Sequence, residues 1–145
     1  MLKEVVNFTA APIDNGKFTE ECRKKLEQEG VVTLHNFLKP ETIKELVQEA
    51  KSRSGLAYFT NSTHNVYLTT RNETLSPEHV FNRQLTSSKG CITTDQIPDA
   101  SKLKQLYCSD IFKKFICKIV NETALYEYAD PLSSINVHYA AEGQE

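Results

Sequence analysis

The sequence predicts a single α+β domain over residues 1–145. Two observations predict it: apolar residues recur at helical spacing in several stretches, and short β-branched or alternating runs lie between and after them. A chain of this length can also bury one hydrophobic core. With 39% apolar and 25% charged residues, the composition is that of an ordinary globular protein and excludes disordered and fibrous classes.

Charge and cysteine usage restrict the partners and the compartment. Seventeen Lys and Arg against 19 Asp and Glu give a formal net charge of −2, which offers no broad basic surface for nucleic acid or an anionic membrane. No apolar run approaches the ~18 residues of a membrane span, and the N-terminus lacks the apolar core of a secretion signal. The four cysteines, Cys22, Cys91, Cys108 and Cys117, form no Cys-x-x-Cys pair. We therefore expect a cytoplasmic protein that binds neither nucleic acid nor membrane.

Two helices are predicted in the first third of the chain. The first covers Glu20–Glu29, with Thr19 as its N-cap and Gly30 as its C-terminal cap. The second begins at Pro40, because the missing N–H of proline costs nothing at the first helical position. Its predicted buried stripe consists of Ile43, Leu46, Val47 and Ala50.

Two further helices are predicted towards the C-terminus. One covers Ser101–Tyr107, and the next is capped by Ser109 and Asp110. The latter has the clearest amphipathic pattern in the chain. Its apolar face carries Ile111, Phe112, Phe115, Ile116, Ile119 and Val120, and its opposite face carries Lys113, Lys114 and Lys118.

Strands are predicted by β-branched or alternating residues between turn signals. The predicted strands are Val31–Leu34, Asn65–Thr69, Ala124–Tyr128 and Ser133–Ala140. Residues 60–101 are otherwise irregular apart from a helical turn at Pro77–Phe81, and so long a connection is typical of a lid or binding loop.

The last predicted strand has two chemically different faces. Ile135, Val137 and Tyr139 point to one side, whereas Asn136 and His138 point to the other. A turn at 141–145 follows without a returning strand. We therefore expect an edge strand with unpaired backbone groups.

Three polar groups are candidates for chemistry, although the chain has no dinucleotide, P-loop, serine-hydrolase or zinc-protease motif. The groups are the pair Asn136 and His138, Ser87-Ser88-Lys89-Gly90 together with Arg83, and His64-Asn65-Val66-Tyr67 together with Arg71. Imidazoles, amides, hydroxyls and cations can hold a carboxylate or phosphate. Spacing alone leaves an ordinary polar surface as the alternative for each group.

Several segments, taken in order, resemble iron(II)/2-oxoglutarate-dependent oxygenases. Gly30-Val31-Val32-Thr33-Leu34-His35-Asn36-Phe37-Leu38, followed by Pro40-Glu41-Thr42-Ile43 and an amphipathic helix, resembles the N-terminal entry of that family. The segment from Ser134 to Glu145 is similar to the strand and turn just before the family's His-x-Asp iron motif. Between them, the resemblance is to the branch of free-amino-acid hydroxylases and radical halogenases. It rests there on His64-Asn65-Val66-Tyr67-Leu68, Arg83, Ser87-Ser88-Lys89-Gly90 and Asp95-Gln96-Ile97-Pro98.

The resemblance implies the first part of a double-stranded β-helix, or jelly roll, truncated before the barrel closes. Residues 1–59 would form a strand and helix entry, residues 60–101 a segment that covers the substrate, and residues 102–145 helices and the first barrel strands. The complete protein would use Fe(II) and 2-oxoglutarate to hydroxylate or halogenate an unactivated C–H bond of a small molecule such as an amino acid. Since the family's iron ligands would follow residue 145, we expect no metal ligand and no catalytic residue in this chain, which alone would be inactive.

Site residues also follow from the resemblance. Asn136 is expected to contact 2-oxoglutarate, and His138 stands where many relatives carry Tyr. Arg83 is expected to grip a substrate carboxylate because guanidinium binds it bidentately, with His64 and Lys89 as further substrate ligands. Two alternatives remain: a non-catalytic binding or scaffold remnant of the fold, and a barrel completed by pairing with another chain.

Overall fold

The computed structural model describes residues 2–140, so the turn predicted at 141–145 lies outside the described residues. The helices are α1 Leu2–Val5, α2 Gly16–Glu29, α3 Pro40–Arg53, α4 Lys102–Tyr107 and α5 Asp110–Ile119. The strands are β1 Tyr58–His64, β2 Leu85–Ile92 and β3 Val137–Tyr139. Short 3-10 turns occupy Ser54–Leu56, Val80–Asn82 and Thr94–Gln96. The α+β class is thus confirmed, while the jelly roll stays a prediction.

A hydrophobic core lies between the N-terminal segment, α2 and α5. Phe115 of α5 is 2% exposed, and its ring stacks on that of Phe18 of α2 at a centroid distance of 6.2 Å. The other buried members of this cluster are Val5, Val6, Ala11, Ile13, Cys22 and Ile119. Burial of these side chains supplies the main favourable term for the helical part of the fold.

Helix α2 begins earlier than its sequence pattern predicted. The Asn15 side-chain oxygen accepts hydrogen bonds from the N–H groups of Lys17 (2.9 Å) and Phe18 (3.1 Å), which makes Asn15 the N-cap. The assignment of Thr19 as N-cap was therefore wrong, since its buried hydroxyl lies inside the helix and donates to the Asn15 carbonyl. Gly30 closes the helix at φ +71°, as predicted.

Two predicted strands do not form. Val31–Leu34 pairs with no other segment of residues 2–140, and the backbone bridge nearby joins Val6 to Leu38 instead. Ala124–Tyr128 is likewise irregular, and the Tyr128 N–H donates to the Tyr107 hydroxyl at 3.0 Å. Strand propensity is realised only where a partner strand and a packing surface are present, and both segments lack the partner.

Helix α3 begins at Pro40 and ends at Arg53, close to the prediction, but it packs by a different face. Ile43 and Val47, expected to be buried, are about half exposed. Thr42 is the buried residue, and its hydroxyl donates to the Glu4 carbonyl at 3.1 Å. This contact joins α3 to the end of α1, while Leu46 and Ala50 of the predicted stripe are only partly buried.

Helices α4 and α5 follow their predicted bounds. Ser101 and Ser109 cap them, the Ser109 hydroxyl accepting from the Phe112 N–H at 3.3 Å. On α5 the middle of the apolar stripe is buried, whereas Ile111 and Val120 at its margins are about 40% exposed (41% and 42%).

The three strands form one antiparallel sheet in the order β1-β2-β3. Strands β1 and β2 pair from Tyr58 opposite Cys91 to His64 opposite Leu85. The prediction of a strand at Asn65–Thr69 was wrong, because β1 ends just before that segment. The irregular character assigned to 60–101 was also wrong in part, since it contains β2 and most of β1.

Strand β3 is shorter than the predicted Ser133–Ala140 and lies at one edge of the described sheet, as expected. Its alternation is confirmed, because Val137 and Tyr139 are half-buried and His138 is exposed. The Tyr139 hydroxyl donates to the Ala50 carbonyl at 2.6 Å and so connects the sheet to α3. None of the helices within residues 2–140 is both long and apolar enough to cross a membrane.

Candidate functional site

An open pocket of about 980 Å³ lies at the end of the hairpin where β1 passes into the connection to β2. This volume is at the upper end of the range typical of small-molecule sites. Polar side chains dominate the lining, which consists of Thr63, His64, Leu68, Thr69, Thr70, Arg71, Pro77, Glu78, Asn82, Arg83 and Gln84. The structure thus brings together His64 and Arg83, two of the three predicted substrate ligands.

Buried asparagine Asn65 shapes the connection immediately after β1. It is 0% exposed, and its side-chain oxygen accepts from the N–H groups of Tyr67 (3.1 Å) and Thr69 (3.0 Å). Its side-chain nitrogen donates to the Phe81 carbonyl at 3.1 Å and so joins the two ends of the connection. The Tyr67 and Phe81 rings stack over this contact with centroids 5.0 Å apart.

A second buried asparagine, Asn82, holds the middle of the connection. Its side-chain oxygen accepts from the Asn72 N–H at 2.8 Å, and its nitrogen donates to the Asn72 carbonyl at 2.8 Å. The same nitrogen lies within hydrogen-bonding distance of the carbonyls of Leu75 (3.1 Å) and Ser76 (3.0 Å). Polar groups that are buried and fully hydrogen-bonded fix one backbone arrangement. The pocket wall is therefore built from ordered turns.

The charged groups that line the pocket form no ion pair with another residue of the described part of the chain. The ion pairs among residues 2–140 lie on α2 and around Lys102, Lys104 and Lys113, and none of them uses Arg71, Arg83 or Glu78. Two guanidinium groups and one carboxylate thus line the pocket with an excess of one positive charge. Such a lining favours an anionic group on the ligand and leaves a carboxylate to meet a cationic one.

Lys89 and His138 lie outside this pocket but on the sheet face that carries His64. Residues directly opposite each other in an antiparallel sheet point to the same side. Lys89 stands opposite Thr60 in β1, and His138 stands opposite Cys91 in β2. Because positions two apart share a face, this polar side of the sheet runs from His64 to His138.

Asn136 is placed in the turn before β3, away from the pocket lining. With the amide oriented by its neighbours, its nitrogen donates to the carbonyls of Leu132 (3.0 Å) and Ile135 (2.8 Å). Asp130 supports this turn by accepting from the Leu132 N–H at 2.8 Å. The Ser133 hydroxyl and the Leu132 N–H together hold the pKa of Asp130 below its ordinary value.

The residues present do not fit an iron centre. Within residues 2–140, no three His, Cys, Asp or Glu side chains come together in a group that could hold a metal ion. Nonhaem iron of the oxygenase type needs two histidines and usually a carboxylate on one face. No chemical step through iron is therefore derived from this chain.

The sequence patterns placed Arg71 in a polar candidate group with His64, without naming it as a substrate ligand, and they missed the structural role of Asn65 and Asn82. The separation of Arg71 from Arg83 conceals their common pocket, because the turns that join them are set by side-chain to backbone hydrogen bonds. The signal available was the content of Asn, Ser and Thr between 61 and 88, residue types that bind neighbouring backbone groups in turns.

Comparison with known proteins gave no match to the chain, whether among family models, curated proteins or solved structures.

Proposed function

We propose that the chain is the N-terminal, substrate-binding part of an Fe(II)/2-oxoglutarate-dependent oxygenase that acts on a small carboxylate-bearing molecule such as an amino acid. The observation that carries this proposal is that His64 and Arg83, singled out by the motif-bearing segments, line one pocket with Arg71. In the proposal, the iron ligands are supplied by residues other than 2–140.

The lining suits the two charged ends of an amino acid. A guanidinium group binds a carboxylate through two parallel hydrogen bonds, and Arg71 or Arg83 can supply them. The Glu78 carboxylate at the same pocket can meet an ammonium group. The His64 imidazole and the Thr63 hydroxyl at the end of β1 add further hydrogen-bonding groups.

The polar sheet face extends the pocket in this proposal. Lys89 and His138 share the face with His64, so a bound substrate would have a hydrogen-bonding wall towards β3. Asn136 and His138 are proposed to contact 2-oxoglutarate, in keeping with the resemblance of that segment. Hydroxylation and halogenation are both compatible with this placement.

A second candidate function is a binding module without catalysis, and the same pocket supports it. The two candidates differ in what the reading frame encodes after Glu145. A His-x-Asp or His-x-Gly motif a few residues further on supports the oxygenase, whereas a genuine stop codon supports the binding module. The codons that follow Glu145 therefore also distinguish a catalytic role from a scaffold role for the polar sheet face.

Binding to the pocket is tested with the 145-residue chain and a panel of free amino acids, followed by ¹H–¹⁵N correlation spectra. We expect saturable shifts at His64, Arg71 and Arg83 and at least a tenfold loss of affinity for Arg83→Ala, about the value of one charge-assisted hydrogen-bonded pair. Lys44→Ala removes one exposed positive charge on α3, away from the pocket, and is the matched control. Shifts confined to other residues, or equal affinities for Arg83→Ala and the wild type, would contradict the proposal.

A further inference from the structure

Asn82 lines the same pocket as Arg71 and Arg83. It is 3% exposed and directly precedes Arg83 in the chain. Its side chain forms hydrogen bonds with both the N–H and the carbonyl of Asn72, at 2.8 Å each. Asn72 directly follows Arg71 in the chain. One buried amide therefore links the backbone that carries one guanidinium to the backbone that carries the other.

The link is specific to an amide side chain. The Asn72 N–H requires an acceptor, while the carbonyls of Asn72, Leu75 and Ser76 require a donor. Only a side chain with a carbonyl oxygen and an NH₂ group at this length meets both demands. The Arg83 N–H is fixed as well, because it donates to the His79 and Val80 carbonyls at 3.1 and 3.3 Å.

We propose that Asn82 is the positioning residue of a two-guanidinium clamp, in which Arg71 and Arg83 together hold one oxyanion group of the ligand. This inference rests on the proposed function, since it takes the pocket as the ligand site. Binding an anion orders the arginine side chains and, if the loop is flexible, its backbone as well; both losses of entropy weaken binding. Because Asn82 already fixes the backbone, only the side-chain cost remains. Both arginines lack an internal ion-pair partner among residues 2–140, so neither must break a contact to reach the anion.

The clamp makes a thermodynamic prediction that separates positioning from folding. If both arginines hold one anion, their contributions to affinity are coupled, so that each matters more when the other is present. If Asn82 sets their spacing, this coupling disappears when the Asn82 amide is removed. Partial unfolding caused by Asn82→Ala would instead lower the affinity of all four proteins in the cycle by the same factor. That factor cancels, because the coupling is a ratio of affinity ratios.

The experiment measures the affinity of the 145-residue chain for sulfate, an oxyanion probe whose charge does not change near neutral pH, at constant ionic strength. The variants are Arg71→Ala, Arg83→Ala and their double, each made in the wild type and in Asn82→Ala. We expect a coupling of about tenfold in the wild type, falling to less than twofold with Asn82→Ala, and faster hydrogen exchange of the Asn72 amide. Asn61→Ala, at an exposed position on β1, is the matched control and should keep the full coupling.

The outcomes distinguish this inference from the proposed function. Undiminished coupling in Asn82→Ala, or no coupling in the wild type, would overturn the clamp while leaving amino acid binding to the pocket intact. Absence of both sulfate and amino acid binding at Arg71 and Arg83 would overturn the pocket itself. If Asn82→Ala fails to fold, Asn82→Ser takes its place, because a hydroxyl retains one donor and should give intermediate coupling.

Discussion

Polar side chains, more than apolar ones, determine the shape of the 65–84 connection. Asn65 and Asn82 are both buried, and each has hydrogen-bond partners for its oxygen and its nitrogen. A substitution at either position removes the amide and leaves its backbone partners in several turns without a hydrogen bond. Each buried group left unpaired in this way costs about 1–3 kcal/mol. The backbone that carries the pocket's guanidinium groups is therefore held in place by the side chains of Asn65 and Asn82.

Leu68 occupies a left-handed backbone conformation at φ +53° that favours Gly and Asn over Leu. Its N–H donates to the Asn65 carbonyl at 3.0 Å, and its side chain is 78% exposed, so little packing opposes a change. We expect Leu68→Asn to raise the free energy of unfolding by about 1 kcal/mol. Urea denaturation measures this value. Val66→Asn, an exposed neighbour without positive φ, is the control, and an equal gain there would contradict the role of the backbone angle.

At the scale of the elements, Phe115 is the most deeply buried side chain of α5. The side chain is 2% exposed and stacks on Phe18, so Phe115→Ala leaves a cavity between α5 and α2. We expect a loss of about 3–5 kcal/mol of unfolding free energy, measured by chemical denaturation. Ile111→Ala on the same helix is the control, because its side chain is 41% exposed and should cost far less. Comparable losses for both variants would show that α5 packs by a different face.

Gly90 in β2 lies in close contact with the aromatic ring that stands opposite it in β1. A Cβ added at Gly90 would lie 2.6–2.9 Å from the Phe59 ring atoms, and Phe59 is the cross-strand partner of Gly90. Because the Phe59 ring is 62% exposed and can move away, we expect Gly90→Ala to cost only about 1 kcal/mol, the value of the lost contact between ring and strand. Thermal and urea unfolding measure the loss.

Two further variants identify the cause of that loss. Gly55→Ala has no atom within 4 Å of the added Cβ and should leave stability nearly unchanged. Truncating the ring with Phe59→Ala should remove the additional cost of Gly90→Ala. If Gly90→Ala lowers stability by the same amount in the Phe59→Ala protein, the loss comes from the backbone of β2 and not from the ring.

Helices were more predictable from the sequence than strands for a physical reason. The Ser109 cap and the apolar stripe around Phe115 are local signals, and the structure confirms both. Strands β1 and β2 consist largely of Thr, Ser and Asn, without apolar alternation, and their stability comes from pairing with each other. Such pairing cannot be predicted from the sequence of either segment alone. Conversely, Val31–Leu34 has strand composition but no partner.

Considered as a whole, the molecule has an apolar core in its helical part and a mainly polar sheet beside it. His64 and Arg83 were predicted as ligands from residue type and motif, but their common pocket depends on turns held by Asn65 and Asn82. The placement of Lys89 and His138 on one sheet face depends on strand register. Residue type therefore indicates candidate chemistry, whereas the assembly of a site requires contacts between distant segments.

Contacts between the sheet and α3 include a hydrogen bond from the Tyr139 hydroxyl to the Ala50 carbonyl at 2.6 Å. Burial raises the pKa of Tyr139 above its ordinary value of 10. A pKa raised by folding gives stability that is present below the unfolded pKa and is lost as the pH rises through the folded pKa. We expect Tyr139→Phe to be about 1 kcal/mol less stable than the wild type at neutral pH, because it lacks the hydrogen bond.

This difference should shrink above pH 10, since the tyrosinate of the wild type can no longer donate to Ala50 and its buried charge is destabilising. The measurement is the urea midpoint of both proteins between neutral and strongly alkaline pH, in which all other titrating groups cancel. Tyr126→Phe, at a 90% exposed ring, should track the wild type throughout. A gap between Tyr139→Phe and the wild type that stays constant with pH would show that folding leaves the pKa of the Tyr139 hydroxyl unchanged, which would contradict this prediction.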